Sequence, residues 1–246
     1  MDEQQKTPEQ LLLNWPVNEK FAQSNFLPAA SNKKAVKWID SWPNWQRGEE
    51  QFHCLIIYGP DGCGKTHLAH VWQKMSKAKI IAGDDLGKSD FISGDQLVFI
   101  VEDVEPCSAK LSSANNFVNN PGTQEALLHL FNWTKEQGGY ILLTARERPK
   151  KWLISLEDLS SRLLASEASK IELPDDDLLK DIMIKQFSDR QITLSKDVIK
   201  YLITRTERSF DAVRNLVKDI DNLSMSEKKK ITIPVVKRVL ENRVEG

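Results

Sequence analysis

The sequence predicts an α/β fold, a parallel sheet with helices on both faces, followed by a small all-α unit. Three observations predict it. Continuous, β-branched apolar runs alternate with segments of helical periodicity between about residues 30 and 172. A glycine-rich loop joins the first clear run of this kind directly to a helical segment, the order expected of a strand, a tight turn and a helix. From about residue 173 onward the pattern is helical only.

Each element has a local reason. "CLIIY" (54–58) reads as a buried parallel strand because it is continuously apolar rather than alternating. "THLAHVWQKM" follows with apolar residues at helical spacing. "LVFIVED" (97–103) is a second buried strand, ending in two acids. "PCSAKLSSANNFVNNPG" (106–122), rich in Ser and Asn with little apolar periodicity, reads as an exposed, mobile loop. "TQEALLHLFNWTKEQ" is helical and is stopped by Gly138 and Gly139, after which "YILLTA" (140–145) supplies a third strand. In "LPDDDLL" (173–179) a proline and three acids precede "LLKDIMIKQFSDRQ", as the acidic first turn of a new helix would, and a domain boundary is placed there. "SKDVIKYLITRTE", "SFDAVRNLVKDIDNLSMSEKK" and "TIPVVKRVLENR" give three further amphipathic helices. Upstream, Trp38, Trp42 and Trp45 recur at close to one helical turn, a spacing that core packing explains. A base-stacking platform is the sharper alternative, disfavoured by the few flanking basic residues.

The bulk properties narrow the function classes. With 246 residues the chain can bury a real core. Its 34 Lys and Arg against 35 Asp and Glu give a formal net charge of -1, so no global positive field draws it to nucleic acid. The run Lys228, Lys229 and Lys230 lies between helices and reads as a solvated turn. Cys54, Cys63 and Cys107 form neither a CxxC pair nor a His-linked metal spacing, and a reducing cytoplasm is the expected location. "MDEQQKTPEQLLLNWP" opens acidic with only three consecutive leucines, short of a signal-peptide core or a membrane span, so neither export nor insertion is expected.

The chemistry is concentrated in "GPDGCGKTH". Gly59, Gly64, Lys65 and Thr66 satisfy G-x-x-x-x-G-K-[ST], with Pro60, Asp61, Gly62 and Cys63 in the variable positions and His67 next in the helix. The glycines let backbone N–H groups wrap phosphate oxygens at the positive end of a helix. Lys65 reaches the β and γ phosphates, and Thr66 offers its hydroxyl to Mg²⁺. Cys63 is expected as a buried filler. His67 and His70 straddle one helical turn without a third ligand, so no metal beyond Mg²⁺ is expected. "VFIVED" places Glu102 and Asp103 where a carboxylate must stand beside such a loop, one to hold metal-bound water and the other to polarise the attacking water.

"GPDGCGKTHLAH", "VFIVEDVE", "ILLTARERP" and "DLSSRLLAS", in this order and spacing, resemble the AAA+ ATPases and, within them, the bacterial replication initiator DnaA. The resemblance covers about residues 20 to 243 and is weakest in the 106–122 loop. "ITIPVVKRVL" is similar to the end of Hda-type DnaA paralogues, the regulatory inactivators of the initiator, and the whole looks like their alphaproteobacterial kind. The resemblance implies three parts: a flexible tail over 1–20, an AAA+ P-loop core over 21–172 and a helical lid over 173–246. The initiator's helix-turn-helix domain has no counterpart before Gly246, so sequence-specific DNA binding is not expected.

The resemblance also implies site roles and partners. Gln10, Leu11, Leu12 and Leu13 look like the peptide by which such proteins dock on the DNA polymerase III sliding clamp (beta subunit), against the plainer reading of a first structural turn. Arg162 is similar to the arginine that reaches the γ-phosphate held by a neighbouring subunit, here ATP on DnaA. Local sequence alone suits a surface arginine paired with Asp158 or Glu167. Thr144 matches the polar sensor position that orients water. Asp211 falls where the family has its lid arginine, with Arg214 three residues later on the same helix face. Glu102 replaces the usual Asp, and its extra methylene bears on octahedral Mg²⁺ geometry. These two departures imply weak or absent turnover and a bound ADP or ATP that fixes the lid against the core. Self-association stays open, as does a second function: a self-contained ATPase of the helicase-loader type acting on helicase or single-stranded DNA.

Overall fold

Continuous runs of aliphatic residues cannot be solvated on either face, and in the computed structural model of the chain they become the interior strands of one parallel sheet. The structure describes residues 27–47, 50–87, 95–104, 121–227 and 231–244. One compact unit, Pro28–Leu173, holds the sheet. Its elements are α1 (Lys33–Ser41), the short antiparallel pair β1 (Gln46–Arg47) and β2 (Glu50–Gln51), β3 (Cys54–Tyr58), α2 (Lys65–Ser76), β4 (Lys79–Ala82), β5 (Val98–Glu102), α3 (Pro121–Glu136), β6 (Tyr140–Ala145), α4 (Glu157–Ala165) and β7 (Glu167–Lys170).

The five strands run β4-β5-β6-β3-β7, every pair parallel. Cys54 stands opposite Ile141, and Leu55 opposite both Leu142 and Glu167. Leu55, Ile56, Ile57, Phe99, Ile100, Val101, Leu142 and Leu143 are fully buried. Each such side chain contributes about 1.5–3 kcal/mol on leaving water, which makes these strands the backbone of the core. Because all strands are parallel, the carboxyl ends of β3, β5 and β6 emerge on one edge, where open α/β sheets bind their ligands.

Strands β1, β2 and β4 add to the three read from the sequence, and β7 and α3 differ from simple pattern reading for physical reasons. β7 carries Glu-Ala-Ser-Lys, with no apolar run, yet it pairs along β3 because an edge strand needs only one partner. Its Glu167 is nearly buried and meets Lys34 at 2.9 Å. Helix α3 begins at Pro121, so the last two residues of the stretch read as a loop form its first turn. Proline suits that position, where no backbone N–H is needed. The remainder of that stretch lies outside the described residues.

The tryptophans pack. Trp45 is fully buried between Phe52 and Trp72, with ring centroids 5.6 and 5.3 Å away, and its indole N–H donates to the Trp38 carbonyl at 2.8 Å. Tyr140 meets Trp42 and Trp45 in T-shaped contacts and donates its hydroxyl to the Pro43 carbonyl. Aromatic edge and stacking contacts of this kind fix the geometry beyond area burial.

From Pro174 onward lies a second unit, built of helices α5 (Asp176–Ser188), α6 (Lys196–Ile203), α7 (Phe210–Glu227) and α8 (Ile233–Val244). Their apolar faces bring Leu179, Phe187, Leu202, Val213, Val217, Ile220 and Val236 into one small core, with α7 packed on both α5 and α8. Asp175 caps α5 by accepting from the Leu178 N–H at 2.8 Å, and Ser209 caps α7 by accepting from the Ala212 N–H at 3.0 Å. No helix among the described residues is long and apolar enough to cross a membrane.

Candidate functional site

The loop from Gly59 to Thr66 leaves the end of β3 and turns into α2. Its entry is fixed on both sides: the Gly59 N–H donates to the Ala145 carbonyl at 3.1 Å, and the Ile171 N–H to the Tyr58 carbonyl at 2.8 Å. A side chain at Gly59 would run into the Ile171 carbonyl, so only glycine allows β3 and the end of β7 to approach so closely. Gly62 and Gly64 have φ of 72° and 98°, left-handed values that bend the loop back on itself ahead of the helix. The first N–H groups of α2 have no partner within the helix and carry its positive end.

Lys65 is buried, and its ammonium donates to the Gly59 carbonyl at 2.8 Å and the Pro60 carbonyl at 3.0 Å. A cation therefore already sits inside the ring of the loop. Pro60 and Asp61 are exposed at its tip, where the Asp61 carboxylate meets Arg146 at 2.9 Å. Cys63 is buried beneath, and burial pushes its thiol up, against the pull of Lys65, so it is a filler without thiolate character. His67 is exposed on the first turn of α2.

Beside the loop, β5 ends in Glu102, whose carboxyl is pushed above its usual range by burial. A hydrogen bond from Thr66 and the proximity of His70 work in the opposite direction, while Asp103 adds to the rise. Its Oε1 is buried and has no hydrogen-bond partner among the described residues. A buried carboxylate oxygen left in that state is costly unless a cation or water takes it, so Glu102 and Thr66 together fit a divalent cation that prefers oxygen ligands.

At the end of β6, Thr144 is fully buried and its hydroxyl accepts the Asp103 N–H at 3.1 Å. The Thr144 carbonyl accepts the Val104 N–H at 3.1 Å. This pairing holds Asp103 in a left-handed conformation, φ 53°, with its side chain exposed. Thr144, Asp103, Glu102, Thr66 and the loop are thus brought to one edge of the sheet.

Other predicted residues have partners of their own. Arg162, in the last turn of α4 and 30% exposed, pairs with Asp158 one turn earlier through contacts of 3.2 and 3.3 Å. Glu167, the other partner considered for it, is taken by Lys34. Arg214 belongs to the second unit, on α7, where it is exposed and meets Asp211 at 2.6 Å. Gln10, Leu11, Leu12 and Leu13 lie outside the described residues, as do Lys228 to Lys230 and Cys107. Sequence reading missed Arg146 and the closeness of His70 to Glu102. A basic residue just past the end of a central strand was the available signal for the first, and helical spacing after Thr66 for the second.

Fold and loop together define a P-loop protein with a five-stranded parallel α/β unit and a second, helical unit. Residues 175–240 match the family model described as Hda, lid domain. The chain is 25% identical to the chromosomal replication initiator protein DnaA of Flavobacterium psychrophilum across 99% of its own length and 55% of that protein's. It is 28% identical to an uncharacterized protein of Haemophilus influenzae, covering 76% of this chain and 80% of that one. Domain III of the Thermotoga maritima DnaA superposes with a TM-score of 0.70 at 17% identity, over 93% of this chain and 98% of that one. A replication initiator DnaA bound to AMPPCP and single-stranded DNA does so with a TM-score of 0.63 at 21% identity, over 86% and 69%. The chain spans about half the length of the curated DnaA relatives it matches. The chain is thus similar to the DnaA initiator at modest identity, and its residues 175–240 match the Hda lid, which is consistent with an Hda-type DnaA paralogue.

Proposed function

We propose that this chain regulates the initiation of chromosome replication: a nucleotide-bound AAA+ adaptor that, with the DNA-loaded sliding clamp, stimulates hydrolysis of ATP bound to DnaA and so prevents re-initiation. The observation that carries the reading is an Hda-type lid on a chain otherwise similar to the initiator. In this reading residues 1–20 form the tail with the clamp peptide Gln10–Leu13, residues 21–172 the nucleotide-binding core and residues 173–246 the lid, and the protein works in the cytoplasm, at the replisome.

The loop's left-handed glycines, its buried ammonium and the positive end of the helix that follows support ADP or ATP as ligand. Thr66 would hold Mg²⁺ directly and Glu102 through water, and the ion would neutralise phosphate charge. Lys65 binds phosphate, Thr144 orients the Asp103 backbone, and the exposed Asp103 carboxylate is available to a water. The bond from the Asp103 N–H occupies a Thr144 lone pair, so the threonine's own proton stays available to donate. Arg214, in place of the family's lid arginine, reaches a phosphate in this reading only on leaving Asp211. Intrinsic turnover is expected to be weak or absent.

Arg162 is suited to act on another protein's nucleotide because its present partner is a half-exposed intrahelical carboxylate, an attachment worth at most about 1 kcal/mol. Released, it brings positive charge to a γ-phosphate held next door, where such groups contribute about 10³ to 10⁵ in rate. The test is ATP hydrolysis by ATP-bound initiator mixed with loaded clamp and this chain. Arg162→Ala is expected to bind nucleotide and clamp as wild type does yet abolish the stimulation. Full stimulation by that variant, or robust hydrolysis by the chain alone, would overturn the proposal.

A further inference from the structure

Three consecutive residues at the end of β6 tie the two sides of the loop site together. Thr144 accepts the Asp103 N–H, Ala145 accepts the Gly59 N–H, and the Arg146 guanidinium meets the Asp61 carboxylate at 2.9 Å. The first two contacts are uncharged and anchored in backbone. The third spans from the strand end to the tip of the phosphate loop and sets one full charge against another.

Asp61 is unexpected chemistry for its position. Every other feature of the loop favours a polyanion: the Lys65 ammonium, the positive end of α2 and the N–H groups that have no helical partner. A carboxylate on the same short loop repels the same ligand. It is 67% exposed, and Arg146 is 39% exposed, so their attraction contributes little to folding. Its consequence falls on what approaches the loop. We propose that Arg146 is a positioning residue for nucleotide binding that neutralises Asp61 and holds the loop tip to the end of β6, so that the loop presents a net positive face to a nucleoside polyphosphate. This inference rests on reading the loop as a nucleotide site.

A fluorescent ADP titrated into the full-length chain with Mg²⁺ tests it, using wild type, Arg146→Ala, Asp61→Asn and the double variant. Because a polyphosphate carries several charges, uncovering Asp61 should weaken binding about three- to tenfold at low salt. Asp61→Asn alone should bind at least as tightly as wild type. The double variant should return to within about twofold of wild type, since no charge is left to compensate. The deficit of Arg146→Ala should also shrink as ionic strength rises from about 0.05 to about 0.5 M, through screening of the exposed carboxylate. The ligand-free melting temperature of Arg146→Ala should stay at the wild-type value, a readout that a merely structural role would move.

A double variant as weak as Arg146→Ala would overturn the proposal, placing Arg146 on the ligand itself or in the fold. So would wild-type affinity in Arg146→Ala, or a salt-independent deficit. Wild type that binds no nucleotide would overturn the reading of the loop and this inference with it. Wild type that binds while all variants match it overturns the inference alone.

Discussion

Glu102 and Thr144 show how single side chains set the behaviour of the site. Burial pushes the Glu102 carboxyl up, so the fold binds that proton more tightly than the unfolded chain does. Ionising it therefore costs stability at every pH above its folded pKa, and the cost disappears as pH falls toward the ordinary value of 4.5. Glu102→Gln, which can still accept from Thr66, is expected to melt about 1–2 °C above wild type at neutral pH without divalent cations, allowing for partial solvation of the group. The advantage should close on acidification and reverse when Mg²⁺ gives the carboxylate a partner. Thermal scans in chelator and in Mg²⁺ measure both, and a wild type that melts higher in chelator would contradict it. Thr144→Val keeps the shape of the side chain but leaves the Asp103 N–H without its acceptor, at a cost of about 1–3 kcal/mol. Thr144→Ser should retain most of the stability, and urea denaturation of the two variants separates hydroxyl from methyl. The sequence showed Thr144 at a strand end and Asp103 after another. Their bond was not legible, because it depends on a left-handed Asp103 brought across by the pairing of β5 with β6.

Elements were legible where one local property decides them. Strands β3, β5 and β6 are continuous apolar runs that have no stable alternative to burial, and the phosphate loop is readable because its glycine spacing and its geometry are the same fact. β7 was not, since Glu-Ala-Ser-Lys becomes a strand only through β3, and Arg146 was not, since its partner Asp61 is distant in sequence. The acidic turn before α5 lies between these cases. Three adjacent aspartates look alike in sequence, but Asp175 caps the Leu178 N–H and Asp176 meets Arg208 at 3.0 Å, while the carboxyl of Asp181 is pushed up by burial, against the pull of Lys180, with Asp177 and then Asp175 adding to the rise. Asp175→Ala should therefore cost about 1 kcal/mol, whereas Asp177→Ala should stay within about 0.5 kcal/mol of wild type because it relieves a like-charge neighbour. Amide exchange along α5 reads the difference, and equal losses in both variants would show that helix-end charge, rather than the cap, stabilises this turn.

For the molecule as a whole, the balanced charge and the two units say what the chain is built to hold more readily than whom it meets, because partner surfaces leave no spacing rule comparable to that of the loop. Ligand linkage and tail function can nonetheless be separated. A nucleotide that binds the folded loop and not the unfolded chain stabilises by about 2.7 kcal/mol at a hundred times its Kd, which for a chain of this size is roughly 5–10 °C in Tm. ADP and a non-hydrolysable ATP analogue should both produce this shift, and Lys65→Ala should remove it. Deleting residues 1–20 should leave the shift untouched, because the loop and its supports all lie in Pro28–Leu173. The same deletion should abolish capture by DNA-loaded clamp and, with it, stimulation of initiator ATPase, since a short apolar peptide with one glutamine acts only by filling a partner's pocket. A truncated chain that still binds the loaded clamp would move the docking site off Gln10–Leu13, and a truncated chain that also lost its nucleotide shift would mean that the tail is part of the fold.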